Sequence, residues 1–217
     1  MPERRAAQLS FAGAATFLVL LTALHLIKPD LDPSWHFISE YAIGRHGWVM
    51  VLAFLSLAVS YTALSVTLRS QLDGVLGRIG LGLLLVSALG LTLGALFTTD
   101  PITSTAKTPE GRIHNIGGTL GMAMPFAAAF VSWSLARRPE WAFARRSLVI
   151  AAVLAVLGFM TAIASLGIVL SNSGGTFGPD VRVGWPTRLE TVMYCVWLMV
   201  VARAALRQHL TGTHVTP

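Results

Sequence analysis

Apolar residues gather in six long blocks along the chain, over residues 9–27, 48–68, 79–97, 116–135, 147–170 and 187–206. Each block is close to the ~20 residues that a helix needs to cross ~30 Å of hydrocarbon. Short polar segments that carry most of the charges separate the blocks. The pattern predicts an all-α polytopic membrane protein, a single domain over residues 1–217 built as a bundle of six transmembrane helices.

Composition supports this interpretation. Of 217 residues, 54% are hydrophobic and 12% are charged, whereas about 25% charged residues are typical of a soluble domain. Arg4 and Arg5 before the first block resemble the start of a secretory signal, but the block is longer than a signal core and no small-residue cleavage site follows it. We interpret it as a retained first helix.

The orientation follows from the basic residues, because the connections are short enough for the positive-inside rule to apply. With the N-terminus in the cytoplasm, the inner side holds ten basic and three acidic residues, a net charge of +7. The outer side then holds six basic and seven acidic residues, a net charge of −1. Both termini are therefore predicted to be cytoplasmic. Basic residues in scattered short loops, rather than on one surface, argue against a nucleic-acid partner.

Two glycine pairs predict a helix contact. Gly90 with Gly94, and Gly117 with Gly121, have the GxxxG spacing that lets helix backbones approach closely in lipid. We expect the third and fourth helices to touch, although glycine is also common in membrane helices for other reasons.

The first outer connection contains the sequence from His36 to Tyr41. If this stretch is helical, His36 and Glu40 stand at i and i+4 on one face, the spacing at which two side chains share a proton or a metal. The alternative is an exposed pair among the lipid headgroups. Ser39 and Tyr41 flank Glu40 and are candidate ligand contacts.

The second outer connection places Asp100 just after the third helix and His114 just before the fourth. If the connection folds back, the two side chains meet. Each could instead cap a helix end, but an acid at a helix C-terminus is disfavoured by the macrodipole, which makes the position of Asp100 unexpected.

The third outer connection leads through Trp185 to Arg188 and Glu190 in the first turn of the predicted sixth helix. Ionisable groups that enter a membrane helix are costly unless they face a polar interior, so both are site candidates. The alternatives are an interfacial salt bridge for the charges and an interfacial aromatic belt for Trp185. Glu40 and Glu190 also share a spacing to a preceding Pro-Asp and Trp, which suggests duplicated hairpins whose two glutamates face one pocket.

The chain resembles the bacterial and archaeal membrane family catalogued as domain of unknown function 998. The residues that carry the resemblance are Ser39, Glu40, Tyr41, Gly44, Asp100, Pro101, Gly111 and His114. The resemblance implies a six-helix bundle in a bacterial or archaeal cell membrane and an outer Ser-Glu, Asp-Pro and Gly-x-x-His constellation. A basic residue near the start of the last segment is also implied, and Arg188 fits it. The family name gives no activity.

These residues predict an outward-facing polar pocket that binds a lipid or other amphiphile, with turnover left open. Acid/base or metal-assisted chemistry would fall to Glu40, Asp100, His114 and His36, and ligand contacts to Ser39, Tyr41, Trp185, Arg188 and Glu190. A small proton-coupled transporter is the alternative, disfavoured because the middles of the predicted helices are almost free of ionisable residues. A non-catalytic membrane assembly protein is a third hypothesis. His25 opposite His114 could ligate haem, but no binding signature accompanies the pair, so no metal ligands are assigned and the cofactor stays unknown.

Overall fold

The computed structural model describes residues 2–212, and the side chains of residues 3–208. Two short 3-10 helices, Ile38–Ala42 and Pro139–Ala144, accompany the α-helices of this part of the chain. The α-helices are α1 (Pro2–Ile27), α2 (Gly47–Leu68), α3 (Val75–Leu96), α4 (Pro109–Gly121), α5 (Met124–Ala136), α6 (Arg145–Asn172) and α7 (Gly184–Gly212). With α4 and α5 counted together, six stretches are long and apolar enough to cross a membrane, which confirms the predicted fold class.

The fourth predicted helix, residues 116–135, is two helices in the structure. Pro125 has no N–H with which to continue the helical ladder onto the carbonyl four residues earlier. The chain instead closes α4 with tighter bonds, from Met122 N to the Thr119 carbonyl (3.1 Å) and from Ala123 N to the Leu120 carbonyl (3.2 Å). The fourth span therefore breaks part-way through the membrane.

The sixth span begins earlier than predicted. The helix α7 starts at Gly184 rather than at residue 187, and Pro186 is tolerated in its first turn because the N–H groups there have no helical partner. Arg188 and Glu190 consequently lie in the second turn of α7, deeper in the bundle than the sequence indicated.

The two halves of the broken fourth span, α4 and α5, pack against different helices. The inner half, α5, packs between α3 and α6, while among the described helices α4 packs extensively only against α3. The remaining neighbours form a ring in which α1 contacts α2 and α7, α2 contacts α3, and α6 contacts α7. The outer half of the bundle is therefore open on the side where α4 stands apart from α6 and α7.

Glycines allow the close approach of α3 and α4. A Cβ atom built on Gly90 would lie 2.4 Å from the Gly117 carbonyl oxygen, and one built on Gly117 would lie 2.6 Å from the Gly90 carbonyl oxygen. Neither position has room for a side chain, so the predicted contact between the third and fourth spans is confirmed.

The connections 28–46, 97–108 and 173–183 share one end of the bundle, which we call the outer face after the charge prediction. They pack together rather than extending separately: Gly184 N donates to the Ser34 carbonyl (2.9 Å). Ile102, Val181 and Val183 form a small buried apolar cluster beneath Phe37. The residues predicted to form a site are thus carried on one packed cap.

Candidate functional site

Arg188 is buried at the junction of α7 with the first connection, with 4% of its surface exposed. Its Nε donates to His25 Nε2 (2.9 Å) and its Nη2 to the Tyr41 hydroxyl (3.3 Å). Its Nη1 donates to the carbonyls of His36 (2.7 Å) and Gly184 (3.1 Å). Among the described residues no carboxylate pairs with this cation. Arg188 therefore joins α1, the first connection and α7 through neutral acceptors.

The hydrogen bonds of His25 assign its tautomer. Nε2 accepts from Arg188, so the ring hydrogen lies on Nδ1, which donates to the Leu21 carbonyl (2.7 Å). Both ring nitrogens are thereby engaged, and His25 has no lone pair left for a haem iron.

Lys28 is a second buried cation in the same region, which the sequence reasoning missed. Its side chain is 6% exposed, and Nζ donates to the carbonyls of Tyr41 (3.2 Å) and Ile43. It thus holds the far end of the 3-10 helix Ile38–Ala42. Gly44 follows with φ +70°, a left-handed conformation that glycine adopts without strain.

Glu40 links the first two outer connections. One carboxylate oxygen accepts from His36 Nδ1 (3.0 Å) and Phe37 N (2.9 Å), and the other accepts from Ile102 N (2.9 Å). The predicted contact between His36 and Glu40 is present. Glu40 is buried, with 2% of its surface exposed, and both of its carboxylate oxygens accept hydrogen bonds. Its contacts therefore hold the two connections in place around it.

Asp100 holds the start of α4. Its carboxylate accepts from Thr108 N (3.0 Å) and Thr108 Oγ1 (2.8 Å), and Thr108 Oγ1 in turn accepts from Gly111 N (3.0 Å) as the N-cap of α4. The acid that was unexpected after α3 is therefore favourably placed at the N-terminus of the next helix. Asp100 contacts Thr108 and Gly111 rather than His114.

His114 lies one turn further along α4 and is buried. Its Nδ1 bonds to the Phe97 carbonyl (2.8 Å), so the hydrogen lies there and Nε2 carries a lone pair. Nε2 makes no hydrogen bond with any described residue. The ring borders an apolar cavity of about 220 Å³, which we call the inner cleft.

Glu190 lies at the same inner cleft, together with Phe17, Phe54, Tyr61 and Tyr194. One of its oxygens accepts from the Tyr194 hydroxyl (2.7 Å), one helical turn away. Its backbone packs against Gly158, at the midpoint of α6: a Cβ on Gly158 would lie 3.1 Å from the Glu190 Cα. Glu190 therefore lies level with the middle of α6, although it is in the second turn of its own helix.

A second cavity of about 520 Å³, the outer cavity, is lined mainly by residues of the three outer connections. Its lining is polar and includes Glu40, Asp100, Lys107 and Asn115, with Thr and Ser side chains of residues 99–105. Ile38 and His114 border the inner cleft, whereas their chain neighbours Phe37 and Asn115 border the outer cavity. The two cavities therefore adjoin.

The predicted residues thus fall into adjoining groups rather than one constellation. Glu40 lines the outer cavity and Glu190 lines the inner cleft, so the suggested duplication does not bring the two glutamates to one pocket. Ser39 is half-buried, and its hydroxyl has no hydrogen-bond partner in the described part of the chain. Trp185 is exposed at the outer end of α7, with its ring 6.4 Å from that of His25. Among the described side chains, no group of three His, Cys, Asp or Glu residues could hold a metal ion.

A family model described as Protein of unknown function (DUF998) matches residues 11–204 of this chain. The chain belongs to this family. The match runs from the first span to the last and confirms the resemblance carried by the outer motif residues. Searches of curated proteins and of solved structures return no match.

In this DUF998 protein, the contacts explain most of the motif. Glu40 joins two connections, Asp100 caps α4, Gly44 makes a left-handed turn, and Gly111 gives the Asp100 carboxylate room to approach the helix. His114 differs from these because one of its ring nitrogens, Nε2, has no hydrogen-bond partner among the described residues. Tyr61 and Tyr194 were missed as site residues, although the i,i+4 spacing of Glu190 and Tyr194 was a usable signal.

Proposed function

We propose that this protein binds a lipid or other amphiphile at the outer leaflet of the cell membrane. The observation that carries the proposal is the juxtaposition of two cavities of opposite character, a polar outer cavity and an apolar inner cleft. An amphiphile has the same division, with a hydrated headgroup and a tail that is stable only away from water. Ligand pockets of this kind are mostly apolar with a few placed polar groups.

The side opening of the bundle supports entry from the bilayer. Among the described helices, α4 packs extensively only on α3, and Gly118 and Met122 of the fourth span line the inner cleft together with Glu190 and Tyr194 of α7. Irregular backbone at membrane depth is tolerated where it lines a cavity, which fits the break after Gly121. A lipid tail would enter between α4 and α7, while its headgroup stays at the outer cavity.

The wall between the two cavities is held by buried groups. Arg188 and Lys28 bond to carbonyls on both sides of the 3-10 helix, and Glu40 fixes its start. Moving this wall would leave buried charges without their hydrogen-bond partners, which is costly, so we expect the wall to keep its position. A rigid wall would fix the depth at which a ligand headgroup stops.

The test fills the inner cleft without disturbing helix packing. Gly118 lines the cleft, and a Cβ there meets nothing within 4 Å, so Gly118→Phe places a ring in the cavity. Gly82→Phe is the matched control, because Gly82 is also open and exposed on a helix but borders none of the cavities described above. Native mass spectrometry of protein released from its own membranes should show a discrete bound amphiphile on the wild type and on Gly82→Phe.

We expect Gly118→Phe to lose about tenfold or more of that occupancy, a change of about 1.4 kcal/mol. Equal occupancy in Gly118→Phe and the wild type would rule out the inner cleft as the binding site. Bare protein in all three samples would remove the basis of the proposal altogether.

Transport is the second candidate, and one observation favours it. Glu190 lies level with the midpoint of α6 beside a broken span, and substrate sites of secondary transporters lie near the midplane at discontinuous helices. Proton-coupled transport would require Glu190→Gln to abolish pH-gradient-driven uptake into proteoliposomes. Retained uptake in that variant would exclude Glu190 from the coupling.

Turnover is an extension of the binding proposal. Among the predicted catalytic residues, Glu40 and Asp100 accept hydrogen bonds at both carboxylate oxygens, and His36 bonds to Glu40. His114 borders the inner cleft, and its Nε2 makes no hydrogen bond with a described residue. His114 would then be the general base. Comparison of bound lipid masses in His114→Gln and the wild type would detect the product of such a reaction.

A further inference from the structure

The polar groups facing the inner cleft are mainly hydrogen-bond acceptors. The second carboxylate oxygen of Glu190 and Nε2 of His114 have no partner among the described residues. Thr191 Oγ1 donates its hydrogen to the Thr187 carbonyl (2.9 Å) and keeps acceptor lone pairs. The Tyr61 hydroxyl, which also has no partner within residues 3–208, is the available donor. A ligand group that brings positive charge or donors fits this lining better than one that brings acceptors.

Aromatic side chains surround the same space. Phe17 from α1, Phe54 and Tyr61 from α2, and Tyr194 from α7 all line the cleft. Aromatic faces attract cations, most strongly where water is excluded, and cages of such rings recognise ammonium groups. The combination of four rings with one carboxylate is suited to a cation that carries apolar substituents.

Glu190 has no counter-ion in the described part of the chain. No Lys or Arg borders the inner cleft, and no cationic side chain lies within 4 Å of the Glu190 carboxylate. Arg188 is two residues away, but its N–H groups point to the first connection and to α1. Acidic groups within the membrane normally pair with a cation or line a functional path, so an external cation would complete this site.

We propose that the inner cleft selects a cationic amphiphile, with an amine or quaternary ammonium group seated against Glu190 among the aromatic rings. This inference rests on the proposed function and specifies its ligand. An anionic amphiphile would place like charge against Glu190, and a neutral one would gain only the burial of its tail.

The test compares three amphiphiles with the same chain length on protein in an uncharged maltoside detergent. Dodecyltrimethylammonium, dodecanol and dodecanoate differ in headgroup charge, and calorimetric titration gives the affinity of each. The wild type should bind the cation about tenfold or more tightly than either of the others. Binding of dodecanoate as tight as that of the cation would overturn the inference.

Two variants test whether the preference for the cation depends on the Glu190 carboxylate. Glu190→Gln retains size and an acceptor for Tyr194, and should weaken binding of the cation about tenfold or more while leaving dodecanol unchanged. Glu110→Gln is the matched control, since it removes one exposed carboxylate from the outer end of α4 and should change nothing. Unaltered cation affinity in Glu190→Gln would contradict the inference.

A third variant keeps the test decisive if Glu190→Gln does not fold. Phe54→Leu removes one ring and no charge, and should weaken the cation several-fold more than dodecanol; equal weakening of both would contradict the aromatic contribution. Failure of this inference is distinguishable from failure of the proposed function. If dodecanol binds as tightly as the cation and loses its binding in Gly118→Phe, the proposed amphiphile site is supported, and only the selection for positive charge is refuted. If none of the three probes binds, both proposals fail.

Discussion

Gly111 provides the sharpest test of how the outer motif works. A Cβ atom at this position would lie 2.0 Å from Oδ2 of Asp100 and 2.6 Å from its Cγ. The carboxylate cannot move away freely, because Thr108 N and Thr108 Oγ1 hold it at 3.0 and 2.8 Å. Gly111→Ala must therefore displace either the carboxylate or the first turn of α4.

The magnitude follows from those two routes. Overpacking a well-filled site costs about 1–3 kcal/mol, and losing hydrogen bonds to a charged group costs about 1.5–3 kcal/mol each, less where water can replace them. Asp100 is partly exposed, so we expect Gly111→Ala to lower the free energy of unfolding by about 2 kcal/mol. At about 2–4 °C per kcal/mol for a chain of this size, Tm should fall by roughly 4–8 °C.

A double-mutant cycle tests the cause. Asp100→Ala removes the group with which the new methyl collides, so Gly111→Ala should cost little more once Asp100→Ala is present. Thermal unfolding of the four proteins in one detergent gives the coupling, and Gly82→Ala, at an open helical glycine, should not lower Tm. Additive effects of the two substitutions, within about 0.5 kcal/mol, would refute the collision and with it this account of the motif.

Glu40→Gln should cost about 1–3 kcal/mol in thermal unfolding, because one acceptor oxygen becomes an amide that faces a backbone N–H of Phe37 or Ile102; stability equal to that of Glu110→Gln would contradict the linking role. Arg188→Lys should also cost about 2 kcal/mol or more, because a single ammonium cannot reproduce the planar set of bonds to His25, the His36 carbonyl and Tyr41. An unchanged Tm for Arg188→Lys would show that those bonds contribute little.

Sequence alone was sufficient for features that depend on local pattern. The six spans follow from apolar runs of membrane length, and the contact of α3 with α4 follows from the GxxxG spacings of Gly90 with Gly94 and of Gly117 with Gly121. The His36–Glu40 contact likewise follows from an i,i+4 spacing. In each case the residues that determine the feature lie close together in the chain or share one helix face.

Features that depend on distant neighbours were not predictable in this way. The Ile102 N–H that engages Glu40 is 62 residues away along the chain, and nothing near Lys28 signals that it would bond to carbonyls beyond the 3-10 helix. The break in the fourth span is different, because Pro125 was a local signal for it. The GxxxG spacings predict that the fourth span touches α3, but they do not predict that its outer half, α4, stands apart from α6 and α7.

In the proposed function, the groups that would meet a ligand lie below the outer motif. The carboxylate oxygens of Glu40 and Asp100 accept from backbone and side-chain donors of the connections, and Arg188 donates to neutral acceptors that join α7 to the cap. Within the described structure, Glu190 and His114 keep open atoms, and both face the inner cleft. The motif therefore builds the cap and its wall, and the break before Pro125 lies beside the cleft that we propose as the ligand site.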